Sequence, residues 1–260
     1  MSRALITGPT SGIGRAFAEA FARKGLDLVL VSRDESRLQA LAMDLEDRFG
    51  VGCEVLAADL TQRADLDRVA ARLADDRRPV SALVNNAGFG LRTSFTSDDV
   101  SDEQRLLDVL VTAVMRLTHA AVPGMLARRQ GMVINVSSVA GWIAGGTYSA
   151  AKAWVTVFSE GLAQELAGTG VRVTAVCPGF VRTEFHQRAD MDVAKVPGWM
   201  WLDADAVVAQ AMRDLATGRP ISVAGPQYRA LSQVVRYAPR RIIRSAAGPR
   251  RRPRGFGARD

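Results

Sequence analysis

Short apolar segments alternate with longer amphipathic ones along most of the chain. The short segments are nearly continuous in apolar character and rich in β-branched residues, as is typical of parallel strands buried on both faces. They predict seven strands, at 3–7, 26–32, 52–57, 80–85, 131–137, 171–177 and 220–224. Helical periodicity between them predicts six helices, at 14–24, 34–49, 62–77, 102–128, 149–168 and 203–217.

This alternation predicts an α/β fold. Successive β-α-β units give a parallel sheet with helices on both faces and right-handed crossovers. We therefore expect a single doubly wound Rossmann-type domain with a seven-stranded parallel sheet, spanning residues 1–245. Residues 184–201 interrupt the alternation of strands and helices as a long insertion rich in Phe, Met and Trp. Residues 246–260 have no apolar periodicity and are predicted to be a basic disordered tail.

Composition narrows the class of protein. Of the 260 residues 48% are hydrophobic and 23% charged, which allows a sizeable core and excludes a disordered chain. The two cysteines, Cys53 and Cys177, lack C-x-x-C spacing and neighbouring His, so we expect neither a zinc nor a redox site. So few cysteines favour the cytoplasm, and without a run of 18 apolar residues we expect no membrane span.

The net charge of +7 comes from the end of the chain. Residues 236–260 hold nine Arg against Asp260 alone and carry +8, so the rest of the chain sums to −1. A nucleic-acid-binding domain should be basic on a folded face, and we therefore expect no specific nucleic-acid partner. The tail could make weak contact with an anionic membrane surface, or it could be a solvated tail with weak nonspecific nucleic-acid contact.

The first predicted strand ends in a glycine-rich turn that opens a helix, Thr7-Gly8-Pro9-Thr10-Ser11-Gly12-Ile13-Gly14. Such glycines allow a tight turn and close approach to a pyrophosphate, and the helix N-terminus offers free N–H groups to the phosphates. The alternative is an ordinary turn that needs positive φ. The nucleotide interpretation predicts coenzyme contacts at Gly8, Thr10, Ser11, Gly12, Ile13 and Gly14.

The G-x-x-x-G-x-G spacing resembles that of the short-chain dehydrogenase/reductase family, and further motifs follow in the family's order. They are Asp59-Leu60, Asn85-Asn86-Ala87-Gly88, Asn135-Val136-Ser137-Ser138, Tyr148-Ser149-Ala150-Ala151-Lys152 and Pro178-Gly179-Phe180-Val181-Arg182-Thr183. The resemblance implies an oxidoreductase that interconverts a small-molecule carbonyl and alcohol, assembled as a homodimer or homotetramer. It implies further coenzyme contacts at Asp59, Leu60, Asn86, Ala87, Gly88, Tyr148, Lys152, Pro178, Gly179, Val181 and Thr183.

The end of the second predicted strand bears on the choice of coenzyme. An acidic residue there would bind the adenosine ribose and repel a 2′-phosphate, but this chain has Ser32-Arg33. A hydroxyl and a guanidinium can clamp a phosphate, which predicts NADP(H) in preference to NAD(H). The alternative is that Arg33 is a solvated residue at a helix start. We interpret Asp34 as the N-cap of that helix.

Tyr148 and Lys152 lie four residues apart at the start of a predicted helix and so share a face. A nearby ammonium, together with the oxidised nicotinamide, should lower the pKa of the phenol, and Tyr148 could then act as general acid/base. The resemblance gives Lys152 a role in holding the nicotinamide ribose, and it gives Ser138 a hydrogen bond to the substrate oxygen. Ser137 is an alternative to Ser138.

Two features depart from the family pattern. Leu110 stands where the family has an Asn that holds a water against the Lys, and Leu has no polar atom. Three consequences are possible: turnover is slower, another group such as Thr112 takes over the role of the missing Asn, or reductase activity is lost. That last outcome would make the protein a non-catalytic NADPH-binding sensor or subunit. The step from Ser138 to Tyr148 is also shorter than is usual in the family.

Residues 185–201 match the family's variable substrate lid. Their aromatic residues Phe185, Trp199 and Trp201 suggest an apolar or aromatic carbonyl substrate, or else a cap packed on its own core. We interpret His119 and His186 as bystanders, and we expect no metal site. Trp154, Val157 and Phe158 fit a subunit interface or the core.

Overall fold

The computed structural model describes residues 2–91, 95–96, 99–185, 193, 196–237 and 241. Within these residues seven parallel strands form one sheet in the order β3-β2-β1-β4-β5-β6-β7. The strands are β1 Arg3–Thr7, β2 Asp27–Ser32, β3 Cys53–Ala57, β4 Ala82–Asn85, β5 Gly131–Val136, β6 Val171–Val176 and β7 Ile221–Ser222. The predicted doubly wound Rossmann-type sheet is confirmed, although β7 is shorter than expected.

Helices cover both faces of the sheet. They are α1 Gly12–Ala22, α2 Glu35–Phe49, α3 Arg63–Leu73, α4 Val100–Leu107, α5 Ala113–Ala127, α6 Thr147–Glu165, α7 Ala204–Ala216 and α8 Pro226–Tyr237. The prediction of six helices was wrong in two places. The helix expected at 102–128 is divided by a π-helical segment at Asp108–Thr112, and α8 forms after β7, where no helix was predicted.

Two apolar layers hold the helices to the sheet. One layer packs Phe17 and Phe21 of α1 and Leu38 of α2 on the sheet, and the other packs Leu106 and Leu117 of the α4–α5 region on the opposite face. All of these side chains are at most 1% exposed. Because both faces are covered, the central strands have no solvent-facing positions, which explains their continuous apolar sequences.

The continuous helical stretch Val100–Ala127 is the one described segment long and apolar enough to cross a membrane by length and composition. In the fold, 44% of its most apolar window is buried. A core helix packed on a sheet passes the same test, so the finding is weak evidence for a membrane span. Its π segment places Leu110 inside the second apolar layer at 1% exposure.

The carboxyl ends of the strands meet at one edge of the sheet. There β1 runs into Gly8, β4 into Asn86, β5 into Ser137-Ser138 and β6 into Cys177-Pro178. The strand order reverses between β1 and β4, and in open α/β sheets a ligand crevice forms at this point.

Some predictions fall outside the described residues. Of the lid segment 184–201, residues 186–192 and 194–195 are not described, and this includes His186. The predicted basic tail 246–260 lies wholly outside, and with it the predicted membrane-surface contact. The domain limits therefore stay predictions.

Candidate active site

The glycine-rich turn after β1 is locked to the end of β4. The Thr7 hydroxyl accepts hydrogen bonds from the N–H groups of Asn86 and Ala87, each at 3.0 Å. The Asn86 side-chain amide donates to the carbonyls of Thr7 and Gly8, each at 2.9 Å. A Cβ on Gly14 would lie 2.1 Å from the Gly8 carbonyl oxygen, so only glycine lets α1 pack this closely on the turn.

The motif after β6 closes on the same turn and on the end of β5. A Cβ on Gly12 would lie 2.8 Å from Cγ2 of Thr183, which places the Thr183 side chain against the glycine-rich turn. The Pro178 carbonyl accepts a hydrogen bond from the Val139 N–H at 3.1 Å and a long one from Ser138 Oγ at 3.5 Å. Three motifs that are distant in sequence therefore line one crevice.

The end of β2 carries unsatisfied polar groups. Asp34 caps α2 by accepting a hydrogen bond from the Arg37 N–H at 3.0 Å, which confirms its interpretation as the N-cap. Ser32 Oγ is buried and has no hydrogen-bond partner among the described residues. Arg33 is exposed and makes no ion pair within the described chain. Because buried hydroxyls are normally hydrogen-bonded, the pair fits a phosphate ligand.

A second guanidinium, which the sequence reasoning missed, reaches the glycine-rich turn. Arg37 Nη2 lies 3.4 Å from the Thr10 carbonyl oxygen and 3.8 Å from a carboxylate oxygen of Glu184. The available signal was its position four residues after Arg33, in the first turn of α2.

The Asp59-Leu60 pair follows β3, beside the end of β2. The Asp59 carboxylate accepts hydrogen bonds from the N–H and hydroxyl of Thr61, at 3.0 and 2.8 Å. Leu60 is 7% exposed and packs in the second apolar layer. The backbone after β3 is thus held in a fixed position at the crevice.

Helix α6 brings Tyr148 and Ser138 together. It begins at Thr147, two residues earlier than predicted, so Tyr148 lies in its first turn. The Ser138 side chain is close enough to the Tyr148 hydroxyl to favour the phenolate, but burial has the larger effect and raises the pKa of Tyr148 to about 12. The expected lowering of this pKa was wrong for the protein groups alone, because desolvation of the phenolate outweighs the effect of Ser138.

Lys152 lies behind Tyr148 as a desolvated amine. Its Nζ is 5.7 Å from the centroid of the Tyr148 ring and donates a hydrogen bond to the Val136 carbonyl at 2.7 Å. It makes no salt bridge to any described carboxylate, and burial lowers the pKa of Lys152 to about 8. Burial therefore disfavours the charged forms of both groups.

The two adjacent serines have different roles. Ser137, 2% exposed, donates to the Lys152 carbonyl at 2.7 Å and shares a hydrogen bond with the Thr156 hydroxyl at 2.8 Å. Ser138 is half-buried and accepts from the Ala140 N–H at 3.1 Å, capping a 3₁₀ turn at Val139–Trp142. Ser137 thus anchors α6, and Ser138 is the serine that reaches Tyr148.

The Leu110 side chain and the Lys152 amine both lie close to Gly88. Leu110 Cδ2 and Lys152 Nζ lie 2.9 Å and 3.9 Å from the point where a Cβ on Gly88 would stand. The hydroxyl of Thr112, considered above as a replacement for the missing amide, makes no hydrogen bond to Lys152 within the described chain. The side chain at position 110 therefore offers no polar atom to the space near Gly88 and Lys152.

Aromatic side chains from the lid segment and its stem border the crevice. The ring of Phe185 lies 6.0 Å from that of Tyr148, and the rings of Phe180 and Trp201 lie 5.6 Å apart. Trp199, by contrast, is 67% exposed. The surface next to Tyr148 is therefore partly aromatic.

Comparison with known proteins identifies the same family that the sequence motifs resemble. A family model for short chain dehydrogenases matches residues 2–194. Sulfoacetaldehyde reductase 2 of Chromohalobacter salexigens is 41% identical over 186 residues, which is 70% of this chain and 73% of that protein.

Two solved structures resemble the whole fold. A short-chain dehydrogenase from Sphingobium yanoikuyae in complex with NADPH has a TM-score of 0.82 and 34% identity, and the match covers 100% of both chains. The bulky-bulky ketone specific alcohol dehydrogenase from Comamonas testosteroni has a TM-score of 0.78 and 32% identity, with 91% of this chain and 92% of that one covered.

Proposed function

Because the chain belongs to the short-chain dehydrogenase family, we propose that it interconverts a carbonyl and an alcohol on an apolar substrate, with NADP(H) as coenzyme. The observation that carries the proposal is that Tyr148, Ser138 and Lys152 come together at the crevice, with Lys152 Nζ 5.7 Å from the centroid of the phenol ring. When bound, the coenzyme supplies or accepts the hydride. Oxidation of NADPH with apolar aromatic ketones as substrates, followed in the purified protein, tests this activity.

Each side chain of the site has a separate role in the proton transfer. Tyr148, whose pKa is raised to about 12, is a neutral phenol at pH 7 and donates its proton to the carbonyl oxygen as that oxygen gains charge. Ser138 orients the same oxygen through its hydroxyl. Lys152 supplies positive charge from a buried position, which stabilises the phenolate left after proton transfer. A neutral phenol is the protonation state that the reduction step requires.

The crevice offers a phosphate site for the coenzyme. The glycine-rich turn with the N-terminus of α1 would hold the pyrophosphate, and Ser32 with Arg33 would hold the 2′-phosphate. Arg37, which already reaches Thr10, adds a second positive charge at the same place. The NADPH complex of the Sphingobium yanoikuyae relative supports this choice.

Replacing Arg33 with Asp should reverse the coenzyme preference. The guanidinium is lost and a carboxylate repels the 2′-phosphate, so the ratio of kcat/KM with NADPH to that with NADH should fall about 100-fold. Arg63→Asp, at the first residue of α3 with a side chain 72% exposed, is the matched control and should leave the ratio unchanged. An unchanged ratio in Arg33→Asp would contradict the assignment.

The substrate class is proposed from the aromatic border of the crevice. Phe185 faces Tyr148, and Phe180 with Trp201 forms a second aromatic pair on the lid stem. Such surfaces bind apolar groups through burial of area and ring contacts. The similarity to an alcohol dehydrogenase described as specific for bulky-bulky ketones supports the same class.

One observation favours the second candidate function, a non-catalytic NADPH sensor or subunit. It is Leu110, whose apolar side chain lies close to Gly88, as does the Lys152 amine. If the protein is an enzyme slowed by this residue, Leu110→Asn should raise kcat several-fold, up to about tenfold, by restoring a polar group that can hold water next to the amine. Steady-state kinetics at saturating NADPH measure the effect. An equal or lower kcat would mean that proton exchange follows another route.

The predicted homodimer or homotetramer stays a prediction. On α6, Val157 is 68% exposed, and the rings of Trp154 and Phe158 stack with centroids 4.7 Å apart. An exposed apolar side chain beside a ring pair is compatible with the subunit interface expected there. The cytoplasmic location likewise stays a prediction.

A further inference from the structure

A tyrosine from the C-terminal helix reaches the candidate active site. Tyr228 lies in α8, is 1% exposed and is the largest of the fully buried side chains in the described chain. Its hydroxyl accepts a hydrogen bond from the Phe180 N–H at 2.9 Å and donates one to the Met200 carbonyl at 2.8 Å. Both hydrogen-bonding capacities of the phenol are therefore satisfied by backbone groups at the crevice.

The ring of Tyr228 also fixes the turn that follows β6. A Cβ on Gly179 would lie 1.9 Å from Cζ of Tyr228 and 2.1 Å from Cε1. The ring thus occupies the space that a side chain at position 179 would need. Because nothing larger than glycine fits between them, the backbone of Pro178-Gly179 rests directly on the phenol ring.

Tyr228 joins the two ends of the lid segment. The Leu202 N–H donates to the Phe180 carbonyl at 2.8 Å, and the Arg182 N–H donates to the Leu202 carbonyl at 2.9 Å. The chain therefore leaves the sheet edge near Phe180 and returns beside it at Met200–Leu202. The Tyr228 hydroxyl bridges the outgoing and returning backbones at that point.

We propose that Tyr228 is a positioning residue that holds the Gly179-Phe180 turn and the returning lid stem in register, and so sets the shape of the substrate entrance. The inference rests on the proposed function, because it concerns the entrance of the same site. Tyr228 lies beyond residues 2–194, which the family model matches, so the family motifs do not include it. The aromatic pair of Phe180 and Trp201 is carried on the same stem.

The variant Tyr228→Phe separates positioning from packing. It keeps the ring against Gly179, so the core volume is conserved, but it leaves the Phe180 N–H and the Met200 carbonyl without their partner. Buried backbone groups that lose a partner shift to find another one. The matched control is Tyr237→Phe, on the same helix, where the side chain is 78% exposed.

For Tyr228→Phe we expect KM for a bulky aromatic ketone to rise roughly tenfold, with kcat changed by less than about threefold. The enantiomeric ratio of the alcohol product should fall, because the entrance orients the ketone. Tyr237→Phe should change neither quantity. A lower melting temperature in Tyr228→Phe with unchanged KM and enantiomeric ratio would show a purely structural role and overturn the proposal.

Amide hydrogen exchange tests the positioning role of Tyr228 without requiring catalytic turnover. Bound NADPH should slow amide exchange at Gly179 and Phe180 in the wild type and in Tyr237→Phe, and it should protect them less in Tyr228→Phe. Equal protection in all three proteins would contradict the positioning role. If the wild type binds NADPH with this protection but reduces no ketone, the proposed activity fails while the positioning of the turn by Tyr228 stands.

Discussion

Tyr148→Phe should lose about 1000-fold in kcat for ketone reduction while NADPH binding stays within about twofold of the wild type. The hydroxyl is the group whose pKa Ser138 influences and which, in the proposed reaction, contacts the substrate oxygen. With burial raising the pKa of Tyr148 to about 12, this phenol carries its proton at pH 7 and is placed to donate it. Phe keeps the ring beside Phe185 but has no proton to give.

The control for this variant makes the same chemical change elsewhere. Tyr237→Phe removes a hydroxyl from a side chain that is 78% exposed and should leave kcat unchanged. Calorimetric titration with NADPH separates lost chemistry from lost coenzyme binding. If Tyr148→Phe keeps more than about a tenth of wild-type kcat, the proton comes from another group and the assigned role is wrong.

Lys152→Met should lose activity and gain stability. Without the buried positive charge the phenolate of Tyr148 is no longer stabilised, and we expect kcat to fall about 100-fold. At pH 7 the folded protein holds a proton on an amine whose pKa burial has lowered to about 8, a penalty of about 3 kcal/mol relative to the unfolded chain. Met fills similar volume without that penalty but loses the hydrogen bond to Val136, about 1 kcal/mol.

The stability gained by Lys152→Met over the wild type should shrink as the pH rises. Between pH 8 and 10 the unfolded chain still binds a proton at Lys152 and the folded chain has released it, so wild-type stability rises with pH relative to Lys152→Met. Denaturant unfolding at pH 7, 8, 9 and 10 measures the difference. Lys24→Met, at an exposed position after α1, should show no such trend. A variant less stable than the wild type at pH 7 would mean that the bond to Val136 outweighs the burial of charge.

The fold could be predicted from the sequence because its signals are local. Strands such as Leu28–Val31 are buried on both faces and read as continuous apolar runs, and the chain alternates them with helices. The sequence also predicts that the strand-end motifs converge, because the carboxyl ends of parallel strands meet at one edge of the sheet. These motifs contain Gly8, Asn86, Ser138 and Pro178. The spacing of Tyr148 and Lys152 placed them on one helix face.

The remaining features depend on contacts that no local pattern records. The direction of the Tyr148 pKa shift depends on how deeply the phenol is buried, which is a property of the assembled site. Tyr228 is a single aromatic residue in an amphipathic stretch, and its partners Phe180 and Met200 are distant in sequence. The π segment around Leu110 has no spacing signal, because the flanking residues keep helical periodicity.

The most direct test of the proposed activity follows the transferred hydrogen itself. The protein is incubated with a bulky aromatic ketone and NADPH deuterated at the hydride-donating carbon, and the alcohol product is examined by mass spectrometry. Hydride transfer from NADPH predicts one deuterium at the carbinol carbon of the product, formed about 1000-fold more slowly with Tyr148→Phe. No deuterated alcohol from the wild type across a panel of apolar ketones, despite NADPH binding, would contradict the assignment as an NADP(H)-dependent carbonyl reductase.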